Sequence, residues 1–209
     1  MISELPNDKY RISVSMEEYE RYMDERDRRL YLTTAIDSSD YDYDMSMATQ
    51  MVDNIIAFNR EDRGIPTAER KPIRIYINSP GGDVTDGFAI VSAIKSSKTP
   101  IYTINIGQWS SAAFLIGISG HKRFSLPYAT FLMHDGSTLM FGSTNKAQDR
   151  MEFEKRFEAE VVKKHVLERS NMKPTEYDAL IRVEYYMLPE DTLEHGFIDK
   201  IIKDIDDIL

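Results

Sequence analysis

From Ile73 to Asn78 apolar and polar residues alternate, the period-two signature of a strand with one buried face. Ile101 to Ile106 and Ala129 to Met133 read as further strands. Arg29 to Thr34 reads as a first one, rich in aromatic and β-branched residues. Between these runs the period changes. Met47, Met51, Ile55 and Phe58 fall at helical steps until Gly64-Ile65-Pro66 breaks the pattern. Gly87 to Ile94 keeps helical spacing until Pro100 stops it, and Ser111 to Ile118 is a short, nearly all-apolar helix. Pro80-Gly81-Gly82 and Gly107-Gln108-Trp109-Ser110 read as turns at strand ends, and Asp37 to Asp44 as a polar loop. Ser143 to Ser170 predicts a long charged helix with Phe153, Phe157 and Val161 on one stripe. Strands alternating with helices predict an α/β layer architecture. Residues 1–28 lack such patterning beyond a possible helix start at Glu17–Tyr22, so they are expected to form an N-terminal arm, with the domain proper at 29–209.

Composition narrows the function. With 209 residues the chain can bury a full core without staples. It has no cysteine, which removes disulfides, thiol nucleophiles and Cys-ligated zinc from consideration. Its 26 basic and 35 acidic residues give a net charge of −9, which disfavours nucleic acid and anionic membranes as partners. No signal-like run opens the chain, and the longest apolar stretch, Ala112–Ile118, is too short to span a bilayer. A cytoplasmic location is the expectation.

Sites in α/β folds gather at strand ends, and three segments there carry chemistry. The adjacent glycines 81 and 82 let a backbone N–H approach a ligand closely, although a tight turn alone needs the same residues. Ser110 and Ser111 open the apolar helix, where a hydroxyl is either a helix cap or a nucleophile near the positive end of the helix dipole. A serine nucleophile needs a base. Of the four histidines, His134 alone ends an apolar strand; His121, His165 and His195 lie in a loop, the charged helix and a surface turn.

Together these segments resemble a family. Tyr76-Ile-Asn-Ser-Pro-Gly-Gly-Asp-Val-Thr-Asp-Gly87, Ile106-Gly107-Gln108 with Ser111, Lys122-Arg123-Phe124 with Leu126-Pro127, Met133-His134, and Leu188 followed by Glu194-His-Gly-Phe-Ile-Asp199 are similar to the proteolytic subunit of ATP-dependent Clp proteases, ClpP, in the family's order. The resemblance runs from about Arg29 to Ile202. It implies a crotonase-like spiral of ββα units with a long handle helix, here about 143–170. It also implies a serine endopeptidase that cuts unfolded polypeptides or peptides inside a chamber of homo-oligomeric rings, heptameric and stacked in pairs. No metal or cofactor is implied; ATP would be used only by a partner AAA+ unfoldase.

The resemblance places the nucleophile on Ser111, which keeps the family's intervals from Gly82 and Gly107, whereas Ser110 would need a deletion. It places the base on His134, after a two-residue shortening near Gly120. The third member falls on Glu184, twelve residues before Gly196, where the family has Asp; Asp178 is a weaker candidate. The oxyanion donors would be the N–H groups of Gly82 and Ala112. The departures are Glu184 itself, whose extra methylene moves the carboxylate by roughly an ångström or more, Trp109 before the serine, Asp135-Gly136 after the histidine, and Val183 in place of a ring-joining Arg. They keep open an alternative, a catalytically weak or inactive ring-forming scaffold or regulatory subunit.

Overall fold

A computed structural model describes residues 27–36, 46–136 and 143–208. The Asp37–Asp44 loop and most of the expected arm, with its Glu17–Tyr22 helix, lie outside the described residues. Three parallel strands open the sheet: β1 (Arg29–Leu32) at its edge, then β2 (Ile73–Ser79) and β3 (Ile101–Ser110). Ile73, Ile75 and Ile77 are fully buried on one face, as their alternation predicts.

The helices cover that face. The α1 helix (Met47–Glu61) buries Ala48, Met51, Ile55 and Phe58, and the Ser46 hydroxyl caps it by accepting from the Thr49 N–H. The α2 helix (Val84–Ser96) buries Gly87, Ile90, Val91 and Ile94, with Asp83 as its cap. Arg28, the last residue of the expected arm, anchors where α1 ends. Its guanidinium meets Asp62 through two 2.8 Å bonds, and the Thr99 hydroxyl donates to the same carboxylate at 2.7 Å. The Arg28 bond holds the buried Asp62 carboxyl below the usual carboxylate range.

The β3 strand differs from expectation. Gly107–Ser110 was predicted as a turn, but the strand continues through it to Ser110. The β2–β3 register slips from Ile77↔Asn105 to Ser79↔Trp109, so three β3 residues face Asn78 alone. This bulge is built from side chains. The Gly107 N–H donates to Asn105 Oδ1, and a Cβ on Gly107 would lie 2.4 Å from Asn78 Oδ1. The bulge lets β3 change partner. Tyr102–Asn105 pairs with β4 (Lys122–Ser125), and Gln108–Ser110 pairs with β5 (Thr130–Met133). The sheet order is β1-β2-β3-β4-β7; β5 branches from β3, and β6 (Tyr185–Met187) runs antiparallel to β5. The last strand, β7, is Lys200–Ile201.

The long helix starts at Thr144 and ends at Glu168, close to the expected 143–170. It is α4 (Thr144–Phe157), a π-helical turn (Glu158–Val162) and α5 (Lys163–Glu168). The wide turn absorbs one residue, so the buried stripe slips by one position. Phe157 packs edge-on against Phe88, but Val161, expected on the same stripe, lies at the surface while Val162 and Val166 are buried. The slip also buries His165 against the short helix α3 (Ala112–Gly117) and the residues after it. Its Nε2 lies 3.0 Å from the Leu115 carbonyl and 3.1 Å from the Ser119 hydroxyl, and burial holds its pKa below the ordinary histidine value. The next helices are α6 (Pro174–Leu180) and α7 (Pro189–Glu194). No helix among the described residues is long and apolar enough to cross a membrane.

Candidate active site

The end of β2 forms the first wall. The Ser79 hydroxyl donates to the Thr34 carbonyl at 2.6 Å and accepts from the Gly81 N–H, which folds Pro80-Gly81 back over the strand end. Gly82 then bridges to Ile36. The Ile36 N–H donates to the Gly81 carbonyl and the Asp83 N–H to the Ile36 carbonyl, so the intervening Gly82 N–H stays out of the pairing. Gly82 has φ +147°, and a Cβ there would lie 2.0 Å from the Ile36 oxygen. Gly81 presses on the next corner, since its Cβ would come within 2.7 Å of Ser111 Cβ and 2.9 Å of the Ala112 N.

That corner is the junction of β3 and α3. Ser111 has φ 56° and ψ −127°, a conformation costly for a residue with a Cβ. Among the described residues only Arg28 shares a positive φ without being glycine. The Ser111 N–H donates to the Leu132 carbonyl of β5 at 3.0 Å, and the Ser111 carbonyl starts the helix by accepting from Phe114 and Leu115. Its side chain makes no capping bond, so helix capping does not occupy the hydroxyl. Ser110 is different. It sits in regular pairing with Leu132, and its hydroxyl is 3.4 Å from Gln108 Oε1. Ala112 is the first residue of α3, so its N–H has no partner inside the helix. Trp109 does not narrow the site. It is fully buried beneath α3, edge-on to Phe131, and its ring occupies the space a Gly117 side chain would need.

His134 follows β5 directly, two residues beyond the carbonyl that binds the Ser111 N–H. The Asp135 N–H donates to the Ile181 carbonyl at 2.9 Å, which fixes the chain just after it. The other histidines are engaged elsewhere: His121 Nδ1 accepts from the Ile101 N–H, His195 Nε2 meets the Tyr185 hydroxyl, and His165 is buried as described.

One cavity of about 850 Å³ brings these pieces together; Gly82, Ser111, Ala112 and His134 all line it. Glu184 does not line it. The β5–β6 register ends at Met133↔Tyr185, and one further step would set Glu184 opposite His134. Its carboxylate accepts instead from the Tyr186 hydroxyl at 2.8 Å. Asp178 pairs with Lys163 at 2.6 Å on the surface. Among the described residues no hydrogen bond joins Ser111, His134 and Glu184 to one another.

Reading of the sequence missed two residues on this wall, Glu158 and Tyr177. The Tyr177 hydroxyl donates to Glu158 Oε1. Burial, and then the nearby Asp135 charge, push the Glu158 carboxyl above its ordinary value. Burial and the bond to Glu158 push the Tyr177 hydroxyl up as well, so it stays a donor. Other motif residues turn out to be framework. Arg123 grips Asp199 with Nε at 3.1 Å and Nη2 at 2.5 Å, and its Nη1 donates to the Arg169 and Gly196 carbonyls.

A strained serine, a histidine and two available N–H groups around one cavity are the parts that acyl transfer by a serine nucleophile requires. Sequence comparison leads to a family of proteases. The family model described as Clp protease matches residues 18–204. The ATP-dependent Clp protease proteolytic subunit of Leuconostoc citreum (strain KM20) is 33% identical over 160 residues, 75% of this chain and 77% of that one. Proteolytic subunit 2 of Treponema denticola is 34% identical over 148 residues, 66% of this chain and 70% of its own. The proteolytic subunit of Streptococcus gordonii is 28% identical over 180 residues, 85% of each chain. The chain belongs to the Clp protease family, and its mixed sheet with one long helix is that family's fold.

Proposed function

We propose that this chain is a serine endopeptidase of the Clp type that hydrolyses peptide bonds of unfolded polypeptides inside an oligomeric chamber. The observation that carries the reading is the Ser111 corner: a left-handed backbone at a strand-to-helix junction, an uncapping hydroxyl, and His134 on the same cavity. In this mechanism Ser111 Oγ attacks the scissile carbonyl while His134 takes its proton. The Gly82 and Ala112 N–H groups receive the developing oxyanion, each contributing about 3 kcal/mol. His134 then passes the proton to the leaving amine. Water, activated by the same imidazole, attacks the acyl-serine and releases the acid. Glu184, moved from Tyr186 to His134, would hold the imidazole tautomer.

Assembly has its own support. Met151 and Phe153 are about half exposed on α4, apolar residues suited to packing against another copy. Rings stacked in pairs, heptameric as in the resemblance, would enclose the serines, with ATP spent only by a partner unfoldase in the cytoplasm. Two observations favour the second reading, a ring-forming scaffold: the Glu184 carboxylate rests on Tyr186, and exposed Val183 precedes it in place of an arginine. Size-exclusion fractions assayed with an unfolded protein separate the two. A peptidase hydrolyses it in the high-mass fraction and spares a folded substrate. A high-mass particle that hydrolyses neither unfolded protein nor short peptides is a scaffold.

A further inference from the structure

The cavity holding Ser111 runs toward the long helix, and its far wall is unlike its near one. Phe88, Met133, Phe157 and Ile181 line it with apolar surface, as a hydrocarbon stem requires. Glu158 also lines it, at the first residue of the π-helical turn. Turns of this kind frequently occur at functional sites, because they redirect one side chain without breaking the helix. Tyr177 holds one carboxylate oxygen of Glu158 and so fixes its direction. Of the neighbouring cations, Lys163 pairs with Asp178 at 2.6 Å although its charge also reaches Glu158, and Arg150 pairs with Glu154 at 2.6 Å. Lys155 is on the wall as well, but Asp83 and Asp135 line the same cavity and keep its balance acidic.

A half-buried carboxylate beyond an apolar channel is complementary to one type of side chain, an alkyl stem ending in a cation. Resting on the peptidase reading, we propose that Glu158 is a specificity-determining residue that selects a lysine or arginine side chain at the substrate residue whose carbonyl Ser111 attacks. A purely apolar side chain of equal length fills the stem region but leaves the carboxylate desolvated and without a cation. An acidic one adds repulsion from Glu158, Asp83 and Asp135.

Binding tests this separately from catalysis. The full chain carrying Ser111→Ala is titrated with fluorescent peptides that differ only at that residue: lysine, norleucine or glutamate. The lysine peptide is expected to bind about fivefold or more tighter than the norleucine peptide, and the glutamate peptide weakest. Adding Glu158→Gln, which keeps an acceptor for Tyr177, should bring the lysine-to-norleucine ratio close to one. Tyr177→Phe keeps the carboxylate and should keep the order, which gives a second reading if Glu158→Gln fails to fold. Equal or tighter binding of norleucine, or a ratio unmoved by Glu158→Gln, overturns the proposal. Hydrolysis by the unsubstituted chain reports on the other claim. Lysine-selective binding without hydrolysis of any peptide sinks the peptidase reading and leaves the pocket assignment standing; hydrolysis without lysine selectivity does the reverse.

Discussion

Ser111→Ala is expected to lower peptide hydrolysis by about 10⁴-fold or more, while the protein assembles and melts as before. The size of the effect follows from the roles of the group. The nucleophile and its base act as a unit, so losing either removes nearly all the catalysis the pair provides. What remains comes from binding and from the N–H donors, which still face the carbonyl. Folding should tolerate the change, because the Ser111 hydroxyl makes no capping bond and the corner is held by backbone: its N–H on Leu132, its carbonyl on Phe114 and Leu115. Ser110→Ala is the matched comparison. Ser110 lies in regular strand pairing with its hydroxyl near Gln108, so its removal should leave most of kcat. Steady-state kinetics on a short fluorogenic peptide checks both variants. Activity retained without Ser111 and lost without Ser110 would move the nucleophile by one residue.

Gly82→Ala should have the second largest effect, on catalysis and stability together. A methyl group there would meet the Ile36 carbonyl oxygen at 2.0 Å, and that oxygen is backbone held by the Asp83 N–H, so it has little freedom to yield. The φ of +147° adds strain for any residue with a Cβ. The turn must shift, and the Gly82 N–H shifts with it. Loss of one oxyanion donor lowers kcat by about 10²–10³-fold, and the broken Ile36 bridge should lower the thermal midpoint. Gly64→Ala separates strain from collision. Gly64 has φ +93° but nothing within 4 Å of an added Cβ, so a cost of roughly 1–2 kcal/mol is expected with kcat intact. Single-turnover acylation and thermal unfolding on the two variants check this. A Gly82→Ala protein with unchanged acylation would remove that N–H from the mechanism.

Much of the fold was legible because short-range patterns decide it. Ile73, Ile75 and Ile77 alternate and are buried together; Met51, Ile55 and Phe58 step helically and share one face of α1. At the Ser111 corner only the apolar helix was legible; the four residues before it read as a turn, where the strand in fact continues to Ser110. What escaped depends on partners distant in sequence. The bulge in β3 is shaped by Asn78 on the neighbouring strand, and a glycine followed by a polar residue reads locally as a turn. The π-helical turn leaves no local mark, so Val161 was placed where Val162 lies. His165 looked like one polar residue on a charged helix, and only the packing of Leu115 and Ser119 shows its burial. Glu158 escaped for the same reason: nothing in Phe157-Glu158-Ala159 indicates that Tyr177 will turn the carboxylate toward the serine's cavity. Glu184 is the converse, reached only by counting along a resemblance. The β5–β6 register runs toward His134, yet the Glu184 side chain lies on Tyr186.

Treating the assembled protein with a fluorophosphonate and mapping the adduct by mass spectrometry shows whether Ser111 is an activated nucleophile, because the reagent reports such a serine whatever the natural substrate. A single phosphonylated residue is expected, Ser111, with labelling lost in His134→Ala. An adduct on another serine, or an assembled protein that takes up no label, would contradict it.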